Sequence, residues 1–345
     1  MTSASTEGGS RGADPGGGEF RGFGDRLAER VTVRRSQIVL GLDPDPGRLW
    51  PDALRLAADR ETRPNLDTRA DSDTRADSSG ATESPAARAG RAVAAHCALV
   101  IQATSEECVA VKLQVACFER LGAPGWTALA DTVALARDHG LLVIADAKRG
   151  DVEVTAAAYA QAFLGETATP FGPVPGLGAD AMTVNPLLGL DSLEPFVHTA
   201  RAHGRGLFVL VRTSNPGAAD VQEAALADGG AVSERLAAIV DRLGAGGVGG
   251  MGLSDVGAVV GATAPGRLAA LRERMPHAPF LLPGVGAQGG NVEELAAAFA
   301  CGPAGGLIAA SRGIVGAHER SGGDPAAAAG REASRLRELA WRLAA

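Results

Sequence analysis

The chain has 345 residues, 33 basic and 40 acidic side chains and a formal net charge of −7. No Lys/Arg run marks a nucleic-acid surface, and no apolar run reaches the ~18 residues needed to span a bilayer. Hydrophobic residues make up 46%, aromatics only 4%, and there are 47 glycines, a mix that supplies a large core and suits helices packed closely on a sheet.

Residues 1–20 are polar and glycine-rich and predict a disordered tail without an apolar signal core. The rest, 21–345, reads as one catalytic domain. Its first strand candidate is 37–43. A biased stretch over 59–88 follows, carrying a six-residue polar repeat at 67–72 and 73–78. Such a repeat cannot bury a core and is expected as a low-complexity surface insertion between the first strand and its helix. Seven further strand candidates lie at 109–114, 141–146, 179–185, 206–212, 256–262, 279–285 and 305–311. Helices are expected near 91–106, 125–139, 152–164, 191–203, 229–243, 265–275, 291–300 and 325–344.

The strands are continuous apolar runs, as in parallel sheets buried on both faces. Eight β-then-α units in series predict an α/β fold, a (β/α)8 TIM barrel. An open doubly wound sheet would carry a glycine fingerprint after its first strand, where this chain has Gly41-Leu-Asp-Pro-Asp-Pro46. Cys97, Cys108, Cys117 and Cys301 form no CxxC pair and have no histidine at ligand spacing. They read as free thiols of a soluble cytoplasmic protein, with no metal site expected.

Functional groups of a TIM barrel gather at the C-terminal strand ends. The polar residues there are Asp43, Asp146 with Lys148, Asp151, Thr183 with Asn185, Ser214 with Asn215, Gln288 and Arg312; Lys112 lies within its strand. Asp146 and Lys148 are two apart, so an extended backbone puts both on one face. Asp146 and Asp151 are expected to flank Lys148 and keep it protonated as a general acid. The plainer alternative is an ion pair with Asp151 as a helix N-cap. The segments Pro283-Gly-Val-Gly-Ala-Gln-Gly-Gly290 and Ser311-Arg-Gly313 follow strands seven and eight. That is the usual phosphate site of the fold, where backbone N–H groups and an arginine fork suit a dianion.

The same pieces, with Gly41-Leu-Asp-Pro44, Val111-Lys-Leu-Gln114, Asp146-Ala-Lys-Arg-Gly-Asp151, Thr183-Val-Asn-Pro186, Arg212-Thr-Ser-Asn-Pro216 and Val260-Gly-Ala-Thr263, occur in order over about 37–316. The sequence resembles the orotidine 5'-phosphate decarboxylases, in particular their longer bacterial subgroup. The resemblance implies conversion of orotidine 5'-phosphate to UMP without a metal or organic cofactor, in a homodimer with shared active sites. It implies that Asp43 holds ribose hydroxyls, that Lys112 joins the charged array, and that Asp146 and Lys148 face the reacting carbon. It further implies that Asp151 and Thr155 reach the partner's site, that Ser214 contacts the pyrimidine amide, and that Gln288 and Arg312 bind phosphate. Asn185 falls in a family motif and is counted with the substrate-binding residues; neither it nor Thr183 receives a defined catalytic role. Two other readings compete: a sugar-phosphate decarboxylase or aldolase of the same barrel type, which needs Mg²⁺, and a non-catalytic nucleotide-phosphate sensor.

Overall fold

In the computed structural model, which describes residues 21–59, 83–286 and 288–344, eight parallel strands close into a barrel. They are β1 (Ile38–Leu42), β2 (Ala110–Gln114), β3 (Leu142–Arg149), β4 (Ala181–Val184), β5 (Gly206–Arg212), β6 (Val256–Val260), β7 (Phe280–Pro283) and β8 (Gly306–Ala310). Each pairs with its sequence neighbour, and β8 returns to β1 through Ile38↔Ile308. The eight expected strands are all present, so the architecture is the TIM barrel.

Strand alternation divides the core in two. Ile38, Leu40, Val111, Leu113, Val143, Ala145 and Met182 pack outward against the helices. Val39, Ala110, Leu142, Ile144, Ala181, Phe208, Val259, Leu281 and Leu307 fill the barrel interior. The interior cluster also takes in Phe23, Leu27, Ala28 and Val31 of helix Phe23–Arg34, an element the sequence reading did not anticipate. This helix closes the N-terminal end of the barrel. Phe23 meets Phe208 edge to face at 5.9 Å, and a Cβ on Gly206, the first residue of β5, would lie 2.2 Å from the Phe23 ring. Glycine at 206 therefore makes room for the plug.

Helix Pro85–Thr104 begins inside the interval read as insertion. The Ser84 hydroxyl accepts from the Ala87 N–H, and Pro85 takes the first helical position. Residues 85–88 thus belong to the helix; residues 60–82 and the tail 1–20 lie outside the described residues. Helix Pro51–Ala58 and a two-stranded antiparallel ribbon, Glu166–Thr167 with Val174–Pro175, were also unanticipated. The segment expected as a helix at 291–300 is a 3-10 helix, Val292–Phe299. Among the described residues no helix is long and apolar enough to cross a membrane, and all four cysteines are free.

Candidate active site

Inward-facing positions change character along each strand. On β2 the inward series runs Ala110, Lys112, Gln114; on β3 it runs Leu142, Ile144, Asp146; on β4 it runs Ala181, Thr183. The apolar members fill the lower barrel, and the polar members surround a cavity of about 370 Å³ at the C-terminal mouth. Asp43, Lys112, Asp146, Lys148, Ser214, Gln288 and Arg312 all line it. Lys112 and Lys148 are the only lysines in the chain; the other basic residues are all arginine.

Asp146 is the hub. Its Oδ2 accepts from Lys112 Nζ at 2.6 Å, and its Oδ1 accepts from Lys148 Nζ at 2.6 Å and from the Thr183 hydroxyl at 2.9 Å. With the Gln114 amide oriented to satisfy its neighbours, its NH₂ donates to Oδ2 at 3.0 Å and to the Asp146 main-chain oxygen at 2.9 Å. A carboxylate offers about four acceptor positions, and here four donors fill them. Burial alone would raise the Asp146 pKa; the Lys112 and Lys148 ammoniums outweigh it and hold the carboxyl well below the usual range. Burial would likewise neutralise Lys112, but Asp146 and then Asp43, 3.7 Å away, outweigh it and raise its pKa. The pair of lysines is thus charge-balanced within the barrel wall.

Lys148 reaches Asp146 by an irregular path. Pairing of β3 with β4 shifts register between Ala145 and Arg149, and Lys148 adopts φ = 49°, in the left-handed region. A non-glycine residue there costs roughly 1–2 kcal/mol, so its surroundings must hold it. The Lys148 N–H donates to Thr183 Oγ1 at 2.9 Å. The next residue, Arg149, donates to the Ala147 oxygen at 3.1 Å and pairs with Glu119. Its guanidinium also lies 5.4 Å from the Tyr159 ring and 5.6 Å from the Phe163 ring. The two ends of the turn are clamped.

Across the cavity, the loop after β7 closes on itself through Gly286 N–H to Gly290 O and Gly290 N–H to Gly284 O. Gly284 has φ = 101°, and a Cβ there would lie 2.9 Å from Gln288 Oε1 and 3.1 Å from Ser214 Cβ. Only glycine allows the Gln288 amide to fold over this turn beside Ser214. Arg312 opens the short helix Arg312–Val315 after β8, is exposed, and has no carboxylate partner among the described residues. Backbone amides, an amide side chain and a free guanidinium meet at one rim, a set able to receive a phosphate dianion.

The structure does not bring every expected residue to this cavity. Asp151 accepts from the Val152 N–H at 2.8 Å and does not line the cavity, so within one chain Lys148 is flanked by one carboxylate rather than two. Nor does Asp151 cap helix Glu153–Leu164, whose N-cap is Val152. Thr155 is exposed on that helix. Asn185 turns its Oδ1 to the Leu187 N–H at 3.0 Å. Gln114 and an apolar wall of Leu210, Val259 and Leu281 also line the cavity, although none of them is among the residues expected there. Gln114 stands two residues after Lys112 on the same strand, and that spacing alone was a usable signal.

The chain matches the family model described as "Orotidine 5'-phosphate decarboxylase / HUMPS family" over residues 52–329. It is 47% identical over 293 residues to the orotidine 5'-phosphate decarboxylase of Deinococcus radiodurans, covering 85% of this chain and 88% of the relative. It is 39% identical over 297 residues to that of Haloarcula marismortui, covering 86% and 88%. Among solved structures, a putative orotidine 5'-phosphate decarboxylase from Streptomyces avermitilis superposes with a TM-score of 0.70 at 33% identity, covering 96% of this chain and 99% of that one. The OMP decarboxylase of Leishmania donovani gives 0.65 at 30%, covering 92% and 99%. With its matching barrel and the charged array at the barrel mouth, the chain belongs to the orotidine 5'-phosphate decarboxylase / HUMPS family.

Proposed function

We propose that the chain decarboxylates orotidine 5'-phosphate to UMP, the decarboxylation step of pyrimidine biosynthesis, by direct loss of CO₂ and protonation of C6 by Lys148. The carrying observation is the Lys112–Asp146–Lys148 array, with both ammoniums 2.6 Å from one carboxylate, facing a phosphate-suited rim across a single cavity. With the phosphate on Gln288 and Arg312, the pyrimidine amide on Ser214 and the ribose hydroxyls on Asp43, the substrate carboxylate faces Asp146. The C6–carboxylate bond breaks, its electron pair stays on C6, and CO₂ leaves. Lys148 Nζ then delivers a proton to C6 and regains one from water. Like-charge repulsion at Asp146 is relieved as CO₂ departs, while the lysines favour the charge that builds on C6. Binding energy from the remote phosphate and ribose lowers the barrier at C6. No metal or organic cofactor takes part.

The functional unit in this reading is a cytoplasmic homodimer whose sites are completed across the interface. Asp151, Thr155 and Asn185 lie beyond the C-terminal strand ends but outside their own chain's cavity. Large apolar side chains stand exposed on the same segments: Val154 is 81% exposed, Leu187 77%, and Phe171, on the neighbouring ribbon, 99%. Such a patch is suited to a second copy of the chain.

The test is direct. Purified protein mixed with orotidine 5'-phosphate should lower the ultraviolet absorbance of the substrate and form UMP, at a rate unchanged by EDTA. Absence of UMP overturns the reading, and abolition of turnover by EDTA favours the Mg²⁺-dependent sugar-phosphate chemistry.

A further inference from the structure

Resting on the reading above, we propose that Thr183 is a positioning residue of the reaction, its hydroxyl setting the relation between the Asp146 carboxylate and Lys148. Thr183 is 1% exposed at the inward face of β4, where an apolar residue would continue the interior core. Its Oγ1 makes two hydrogen bonds, and their directions are fixed by chemistry. The Lys148 N–H at 2.9 Å can only donate, so the hydroxyl accepts there. The hydroxyl's single proton therefore goes to Asp146 Oδ1, also at 2.9 Å.

The first bond stands in for a missing ladder contact. The register shift between Ala145 and Arg149 takes Asp146, Ala147 and Lys148 out of regular pairing with β4. The Lys148 N–H meets a side-chain oxygen there instead of a main-chain one, and this bond supports the left-handed backbone at Lys148. The second bond acts on the same oxygen that receives Lys148 Nζ. One hydroxyl therefore grips Lys148 through its backbone and Asp146 through its side chain. Gln114 plays the complementary part on Oδ2 beside Lys112. Without Thr183 Oγ1 the Lys148 N–H and Asp146 Oδ1 each lose a fixed partner, and the carboxylate with the ammonium bound to it can shift as a unit relative to C6. Phosphate and ribose contacts lie elsewhere and should not feel the change.

The experiment compares Thr183→Val, which keeps the shape and removes the hydroxyl, with Thr183→Ser, which keeps the hydroxyl. Thr183→Val should lower kcat on the order of 100-fold, the scale of a misplacement of about 1 Å, while the dissociation constant for UMP stays within about twofold. Thr183→Ser should retain kcat within about fivefold. If Thr183→Val does not fold, Thr183→Ala is judged by the same split. Thr183→Val with wild-type kcat, or serine as impaired as valine, or parallel loss of kcat and UMP binding, each overturns the role while wild-type turnover leaves the reading intact. A wild-type chain that makes no UMP removes the reading and the role together.

Discussion

Arg312 and His96 show how single residues act on the site from opposite kinds of surroundings. Arg312 is exposed at the rim, so its removal should leave the fold alone and cost a charge-assisted contact to a dianion. Arg312→Ala is expected to raise KM strongly and lower kcat/KM for orotidine 5'-phosphate. Phosphate-free orotidine should be a poor substrate, nearly insensitive to the change; equal losses on both substrates would show that Arg312 does not bind the phosphate. His96 is buried beneath Trp50, accepts from its N–H at 3.1 Å and meets its ring edge to face at 5.5 Å. Trp50 in turn donates its indole N–H to the Val315 oxygen at 3.1 Å, tying the loop after β1 to the Arg312 helix. Burial, then the nearby His318, lowers the His96 pKa from 6.5 to about 4. Between those values the unfolded chain binds a proton that the folded chain refuses, so stability falls as pH falls through that window. From pH 7 to pH 5 this amounts to about 2 kcal/mol. His96→Gln, whose amide oxygen can still accept from Trp50, should lose that part of the slope in denaturant titrations; an unchanged slope would place the titration elsewhere.

Helix Phe23–Arg34 carries the interior core beyond the first residues of the strands. Phe23, Leu27 and Val31 repeat every four residues on one face and are almost completely buried. Phe23→Ala should cost about 3–5 kcal/mol, the range for an aromatic removed from a core, with KM within about twofold because the site lies at the other end of the barrel. A fall in kcat/KM larger than the fall in folded fraction would contradict that separation. The strands were legible because burial on both faces leaves uninterrupted apolar runs such as Ile38–Leu42. Helix Phe23–Arg34 was not, because Arg26, Glu29, Arg30 and Arg34 share its short sequence and dilute the pattern. Asp43, Lys112, Asp146 and Lys148 were readable from strand position. The β3 irregularity was not: Lys148 is a residue type that gives no warning of positive φ. The double bond of Thr183 depends on that irregularity, so its part was hidden too.

At the scale of the whole molecule, Lys148 lines the cavity while Asp151 does not and instead accepts from the Val152 N–H. If the neighbouring subunit supplies Asp151, each site takes Asp146 and Lys148 from one chain and Asp151 from the other. Lys148→Ala and Asp151→Ala should each be inactive alone. Mixed under subunit exchange, half the dimers are heterodimers with one intact site of two, so about a quarter of wild-type activity should return, given a two-fold interface. If exchange is verified and activity stays at the level of the separate mutants, Asp151 serves its own chain.

The confinement of both lysines to the cavity has a practical consequence. Wherever else this protein needs a cation it uses arginine, which keeps its proton at any ordinary pH; the ε-amines are reserved for the cavity. An amine-directed acylating reagent therefore has two lysine targets in 345 residues, besides the chain's α-amine. Lys148, with 43% of its side chain exposed, should react well ahead of Lys112, with 10%. UMP should shield it, so that peptide mass mapping reads occupancy of the cavity without any turnover. Modification of Lys148 that proceeds equally with and without UMP would place the nucleotide somewhere else.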